Sequence, residues 1–413
     1  MALVTRTDCL NGELSGKLRM LRLPIEQAKP NMQLARSISN PAQPEHMLLQ
    51  AGYTLTDQDI ARLRSLRVYS IWVKYPSLDF LDNVLDPELT RQQQELYGTL
   101  KAQFSQSQEH SQARINYDLY IGQVTKLFTR LLTQNSGATT FINELYGEAD
   151  DIFLHGTTVA YLAMLIGMRL EAYLVHERPR VPTRMATDLT SLGVGCLLHD
   201  IGKLQLPEEL HSFHMTAENQ GNALWQSHAM LGFEMVQGKL DSCAAQIVLN
   251  HHQHYDGSGF PLRQGPAELP DPMPALKGDE IHVFCRIACI ADRFDGFRHL
   301  PDGRVAPQIV ALKRMHNPGY YKWFDPMIFP VFVDTVPPFP LGEQVVLNNS
   351  QVAVVTELND SLPCRPTVRP VDMSLAEQPN ATDIEEEPDL CLASRTDLHI
   401  AKIGDFDITP YLY

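Results

Sequence analysis

A chain of 413 residues is too long for one ordinary core and calls for two or three domains. Hydrophobic residues at 44% and charged residues at 20% describe a folded soluble protein, and a formal net charge of −15 argues against an electrostatic grip on a nucleic-acid polymer or an anionic membrane. An anionic substrate would need compensating charge at its site, and bound metal cations are the obvious source.

The N-terminus, MALVTRTDCLNGELSGK, has no apolar core segment and so reads as no secretory signal. Residues 1–85 are expected to form an α+β regulatory module. Alternation in KLRMLRLPIEQ predicts a strand, and the run from His46 to Pro76 reads strand, turn, helix, strand. Thr56 with Asp59, ahead of the apolar run from Ile60, predicts a capping box at that helix start. Residues 86–135 form a helical connector, in which Leu89, Leu96, Leu100 and Phe104 share a helix face, a packing surface or a homodimer contact. The polar run at 105–112 is expected to be a loop or solvated turn within it. From 136 to 335 the pattern is nearly all helix apart from a Gly/Pro-rich interruption, and no stretch reaches the roughly 20 apolar residues of a membrane span. Residues 336–413 read as a small β appendage with a hairpin at Asn348-Asn349 and an acidic tail whose apolar end docks. The fold class is therefore mainly α, with small β-containing pieces at both ends. Seven cysteines (Cys9, Cys196, Cys243, Cys285, Cys289, Cys364, Cys391) lack CxxC spacing and fit a reducing cytoplasm. Cys285 and Cys289 read as buried thiols, and the N-x-S/T triplets at Asn348 and Asn380 as chance matches.

Nine of the fifteen histidines fall between residues 155 and 254. His155, His199, His228, His251 and His252 sit within or at the end of apolar helical stripes, as do Asp200 and Asp292. Burying so many polar groups without partners would cost about 1–3 kcal/mol each, and a shared metal centre removes that cost. Imidazole and carboxylate without thiolate suit iron, manganese, zinc or nickel. Five histidines and two acids oversupply one octahedral ion but suit two ions bridged by a carboxylate.

HDIGK at 199–203, HxxxG from His228, HHxxxDGSGxP from His251 and RIxxIADxxD ending at Asp295 occur in the order and rough spacing of the HD-GYP family, which this chain resembles over about residues 135–335. The resemblance implies an HD-type helical bundle and a cyclic di-GMP phosphodiesterase. By that resemblance His155, His199, Asp200 and Asp292 would hold one ion, and Asp200 would bridge to a second held by His228, His251 and His252. Iron or manganese is implied, with a third ion admitted through Asp151. Lys203 would face the phosphate, and Asp295 would act as a proton-handling acid or as one that supports a ligand from behind. The implied reaction is attack of a bridging hydroxide on phosphorus, giving pGpG and, further, GMP.

Four departures bear on this. Gln253 replaces the family's Glu, and Phe260 replaces the name-giving Tyr of a motif that serves GGDEF-domain partners. The stretch 262–280 is long and Pro-rich, and the Arg-Pro-Tyr element after Asp295 is missing, so that Arg298 or Arg304 would supply its phosphate-binding charge. Arg286 reads as a structural ion-pair residue. A nucleotide sensor without turnover, and a hydrolase acting on another phosphoester or cyclic dinucleotide, remain open readings.

Overall fold

The computed structural model describes residues 19–40, 43–66, 68, 70–76, 78, 86–109, 116–133, 151–211, 221–262, 274–300, 302–378, 381 and 387–413. Cys9, Asn380 and most of 262–280 lie outside the described residues.

Alternating apolar residues make β1 (Met20–Pro24), which pairs antiparallel with β4 (Ser70–Lys74), Met20 opposite Lys74 and Pro24 opposite Ser70. Between them come β2 (Ile38–Asn40), β3 (Gln43–Leu49) and α1 (Asp57–Ser65). The predicted capping box is present: Asp59 N–H donates to Thr56 Oγ1 at 3.2 Å and Thr56 N–H to Asp59 Oδ2 at 3.0 Å.

Two long helices follow, α2 (Pro87–Glu109) and α3 (Tyr117–Thr133). The polar run predicted as a loop is helical through Glu109, and its remainder lies outside the described residues. Leu89, Leu96 and Leu100 are buried in the same core as the helices that follow, so this stripe is taken up within the chain and is not free for a dimer contact. The bundle proper comprises α4 (Ile152–Arg169), α5 (Thr190–Leu197), α6 (His228–Val236), α7 (Ser242–Asn250), α8 (Val283–Arg298), α9 (Gln308–Met315) and α10 (Ile328–Thr335). By length and composition alone α4 could cross a membrane, but most of it is buried inside the bundle, where it packs between α5 and α8 as a core helix. Its Gly156 allows that closeness, because a Cβ there would meet the Leu197 carbonyl oxygen at 2.5 Å. Arg286, on α8, is held by Asp325 at 2.5 Å, by Tyr173 Oη at 2.8 Å and by Glu177, the structural role expected of it. Cys285 and Cys289 are buried on α8, where desolvation pushes their thiols up.

The C-terminal part is a six-stranded antiparallel sheet in the order β10-β9-β5-β6-β7-β8, made of β5 (Gln344–Leu347), β6 (Val352–Glu357), β7 (Thr367–Pro370), β8 (Leu390–Cys391), β9 (Ile400–Ile403) and β10 (Phe406–Asp407). The predicted hairpin is β5–β6, with Ser350 at φ 69° in its turn, and the apolar end of the tail docks as β9 beside β5. Alternation along β6 divides the sheet between two cores. Ala353 and Val355 pack with Ile309 and Val310 of α9, whereas Val354 packs with Leu21, Leu23 and Val73 of the N-terminal module. Tyr75 Oη accepts from the Asp372 N–H at 3.1 Å and Lys29 pairs with Glu377 at 2.7 Å, so the two ends of the chain are joined.

After α5 the chain makes a short 3₁₀ turn, 201–205, pressed against α6. A Cβ on Gly202 would lie 1.9 Å from the His228 carbonyl oxygen, a backbone atom that cannot step aside. Gly202→Ala is therefore expected to destabilise the protein by about 3 kcal/mol or more. Thermal unfolding of the full chain measures it, and a change under about 1 kcal/mol would show that the turn yields.

Candidate metal centre

Five helices deliver the site. His155 lies in the first turn of α4, whose N-cap Asp151 accepts from the Phe153 and Leu154 N–H groups. His199 and Asp200 follow the C-terminus of α5, His228 opens α6, His251 and His252 end α7, and Asp292 and Asp295 lie on α8. All of these are buried, with no more than 4% exposure.

Their atoms gather in two groups: His155, His199 and Asp292 in one, and Asp200, His228, His251 and His252 in the other. In the first, His155 Nε2 is 3.2 Å from Asp292 Oδ1, and His199 Nε2 is 3.8 Å from the same oxygen. Asp200 faces both groups. Its Oδ2 is 3.5 Å from His199 Nε2 and 3.8 Å from His155 Nε2, while its Oδ1 is 3.4 Å from His228 Nε2 and 3.8 Å from His251 Nε2. Lys203, also buried, places Nζ 2.6 Å from Asp200 Oδ2 and over the Trp225 ring.

The imidazoles are oriented from behind. The Nδ1–H groups of His199, His228 and His251 donate to the carbonyls of Cys196 (2.6 Å), Trp225 (2.6 Å) and Val248 (3.0 Å), and that of His155 to Asp295 Oδ2 (2.7 Å). Each proton so placed leaves the Nε2 lone pair facing inward, the arrangement that presents an imidazole to a metal. Consequently His228 Nε2 and His251 Nε2 stand 3.3 Å apart with no proton to share. His199 Nε2 and Asp200 Oδ1 are buried without a hydrogen-bond partner. Lone pairs and carboxylate oxygens converging in a dry interior are the donor set of a cation, and the residues present fit one.

The electrostatics agree. Burial opposes the Asp200 charge, but Lys203 and the surrounding imidazoles outweigh it and hold the carboxyl well below the usual range. Burial lowers His228 to about 4 and drives His251 and His252 well down. His155 is the reverse case: burial is overcome by Asp292 and Asp295, and it rises to about 9.

Asp295 accepts from His155 and is itself held below the ordinary carboxylate range, burial being outweighed chiefly by His299 and His155. Its carboxylate is thus placed to orient the His155 ring. Asp151 stands apart from both groups, its Oδ2 engaged by Tyr97 Oη at 2.7 Å and Lys101 Nζ at 2.8 Å. Arg298 is buried, donating from Nε to the Ala306 carbonyl, whereas Arg304 is exposed and paired with Asp302 at 2.7 Å.

Sequence reading passed over Arg293. It is buried beside the site, donates to His252 Nδ1 and lies 3.1 Å from Asp292 Oδ2. The signal was available: an arginine next to Asp292 on a helix otherwise buried on all sides. The departures also find their places. Gln253 Nε2 donates to the Pro261 carbonyl at 2.7 Å and its Oε1 accepts from Leu276 N–H at 3.0 Å, a two-way bond that a glutamate could not make. Phe260 packs its ring 4.5 Å from that of His252.

Residues 182–328 match the family model described as the HD domain. Among curated proteins, the chain is 24% identical over 210 residues to a cyclic di-GMP phosphodiesterase of Pseudomonas aeruginosa, covering 50% of this chain and 44% of that one. It is 34% identical over 101 residues to a 3′3′-cGAMP-specific phosphodiesterase of Vibrio cholerae (24% of this chain, 17% of that one). It is 32% identical over 102 residues to a cyclic di-GMP phosphodiesterase response regulator of Xanthomonas campestris pv. campestris, covering 24% of each. The chain thus spans less than half the length of these relatives.

If Asp295 acts through His155, Asp295→Ala should weaken metal binding about 10- to 100-fold. Titration against a competing chelator measures it, and an unchanged affinity would show that packing alone holds the ring.

Proposed function

We propose that this chain, which belongs to the HD-GYP family, is a cytoplasmic, metal-dependent phosphodiesterase that hydrolyses cyclic di-GMP to pGpG, to GMP or to both. The observation that carries the reading is the Asp200 carboxylate, with one oxygen facing each of two buried ligand groups. On this reading residues 136–335 form the catalytic domain. His155, His199, Asp200 and Asp292 would hold one ion, and Asp200, His228, His251 and His252 a second; the donor set suits iron, manganese, zinc or nickel, of which the family resemblance implies iron or manganese. When bound, such ions lower the pKa of water and neutralise phosphoryl charge.

The chain's own residues do the rest. Lys203, ion-paired to Asp200, fixes that carboxylate and adds positive charge beside the reacting phosphate. Asp295 holds the His155 tautomer. Arg298 or Arg304 stands for the missing Arg-Pro-Tyr element, since both line the cavity that Asp295 borders. Water adds to phosphorus as the bond to the sugar 3′-oxygen breaks, one of its protons ends on that departing oxygen, and the ring opens to the linear dinucleotide. The six cysteines among the described residues are free, which suits a reducing compartment. The altered Phe260 bears on a GGDEF-domain partner more than on hydrolysis, because its ring still packs on His252. A relative specific for 3′3′-cGAMP favours that dinucleotide as the second substrate to test.

The protein, purified anaerobically, is to be assayed for metals per chain and incubated with cyclic di-GMP and 3′3′-cGAMP, with a His199→Ala, Asp200→Ala variant as control. Two ions of iron or manganese and linear product from the intact protein alone are the expected outcome. A filled site without turnover of either dinucleotide sinks the reading and leaves a sensor.

A further inference from the structure

A cavity of about 440 Å³ lies where the N-terminal module, the end of α8 and the C-terminal sheet meet. Its size falls within the roughly 300–1,000 Å³ of small-molecule sites. Its lining includes His155 and Asp295, so it borders the metal centre from behind the first ligand group, and Arg22, Glu343 and Phe406 line it as well. Charges alternate across it. Arg22 Nη1 is 3.5 Å from Glu343 Oε2, Glu343 feels both Arg22 and Arg298, and Arg298 feels Asp295. Gln308, only 6% exposed, lines the same cavity with its Oε1 buried and unpartnered.

A carboxylate beside a guanidinium, with a further amide acceptor nearby, complements an edge that offers two donors next to an acceptor. Guanine has that edge in N1–H and the N2 amine beside O6; adenine, with one amine and an unprotonated N1, does not. We propose that this cavity takes a guanine base of the substrate, its edge read by Glu343 and Arg22 with Gln308 as a further acceptor. The N-terminal module and the C-terminal sheet then select the dinucleotide that the HD helices cut. The inference rests on the cyclic-dinucleotide reading above and deepens it.

The test titrates the holoenzyme calorimetrically with GMP and with AMP, which share the phosphate and differ in the base, and compares kinetics on cyclic di-GMP and cyclic di-AMP. Wild type is expected to bind GMP about tenfold tighter than AMP or better. Glu343→Gln should lose most of that preference and raise KM for cyclic di-GMP about tenfold, with kcat within about twofold, since the base lies away from the reacting phosphorus. Arg22 and Glu343 also join two parts of the chain, so the exchanged pair, Arg22→Glu with Glu343→Arg, separates the roles. Recovered thermal stability without recovered GMP preference supports base reading. Recovery of both, or a wild-type preference in Glu343→Gln, overturns it. GMP preference without any turnover would strike the hydrolysis reading and leave the pocket standing. Turnover of cyclic di-GMP with equal binding of GMP and AMP would strike the pocket alone.

Discussion

Asp200 must satisfy partners on two sides at once, and much of the bundle is arranged around that demand. A carboxylate 4% exposed has no water to lean on. Lys203 answers one oxygen directly, while imidazoles converge on both. To bring them there, α4 and α5 pack at glycine-permitted distance, the 3₁₀ turn presses its own glycine against α6, and α7 ends where His251 and His252 are needed. The apolar core is the means by which helix ends are aimed at one another.

Backbone carbonyls at those helix ends perform a second task. The last turn of a helix leaves carbonyls without intrahelical donors, and at Cys196 and Val248 such groups orient imidazoles that ended up beside them. Trp225 does the same from the short turn before α6. His155 and His252 rely on side chains instead, Asp295 and Arg293, and Asp295 also borders the cavity shared with the two ends of the chain. The metal centre and the outlying modules therefore meet at a single histidine–carboxylate pair.

What was legible in the sequence was whatever local pattern encodes. Thr56 and Asp59 announce their helix because a capping box spans three residues, and Asn348-Asn349 announce a turn between alternating runs. The ligand histidines stood out because imidazoles inside apolar stripes demand partners. Nothing local says that Val354 packs on Leu21, or that Asp372 meets Tyr75 across nearly 300 residues, so the end pieces read as separate modules when they share a core. The stripe of Leu89, Leu96 and Leu100 likewise shows a buried face without saying against what. Arg293 was hidden by its neighbour, since a motif directs attention to Asp292 and not to the residue beside it.

Gln253 has a wider consequence. By bonding both to Pro261 and to Leu276 it staples together the two roots of the intervening excursion, directly beside His252. A shift of the backbone at Pro261 or at Leu276 therefore has to break or bend a Gln253 hydrogen bond before it is felt at the ligand next door, so one uncharged amide ties the position of His252 to two points far apart along the chain.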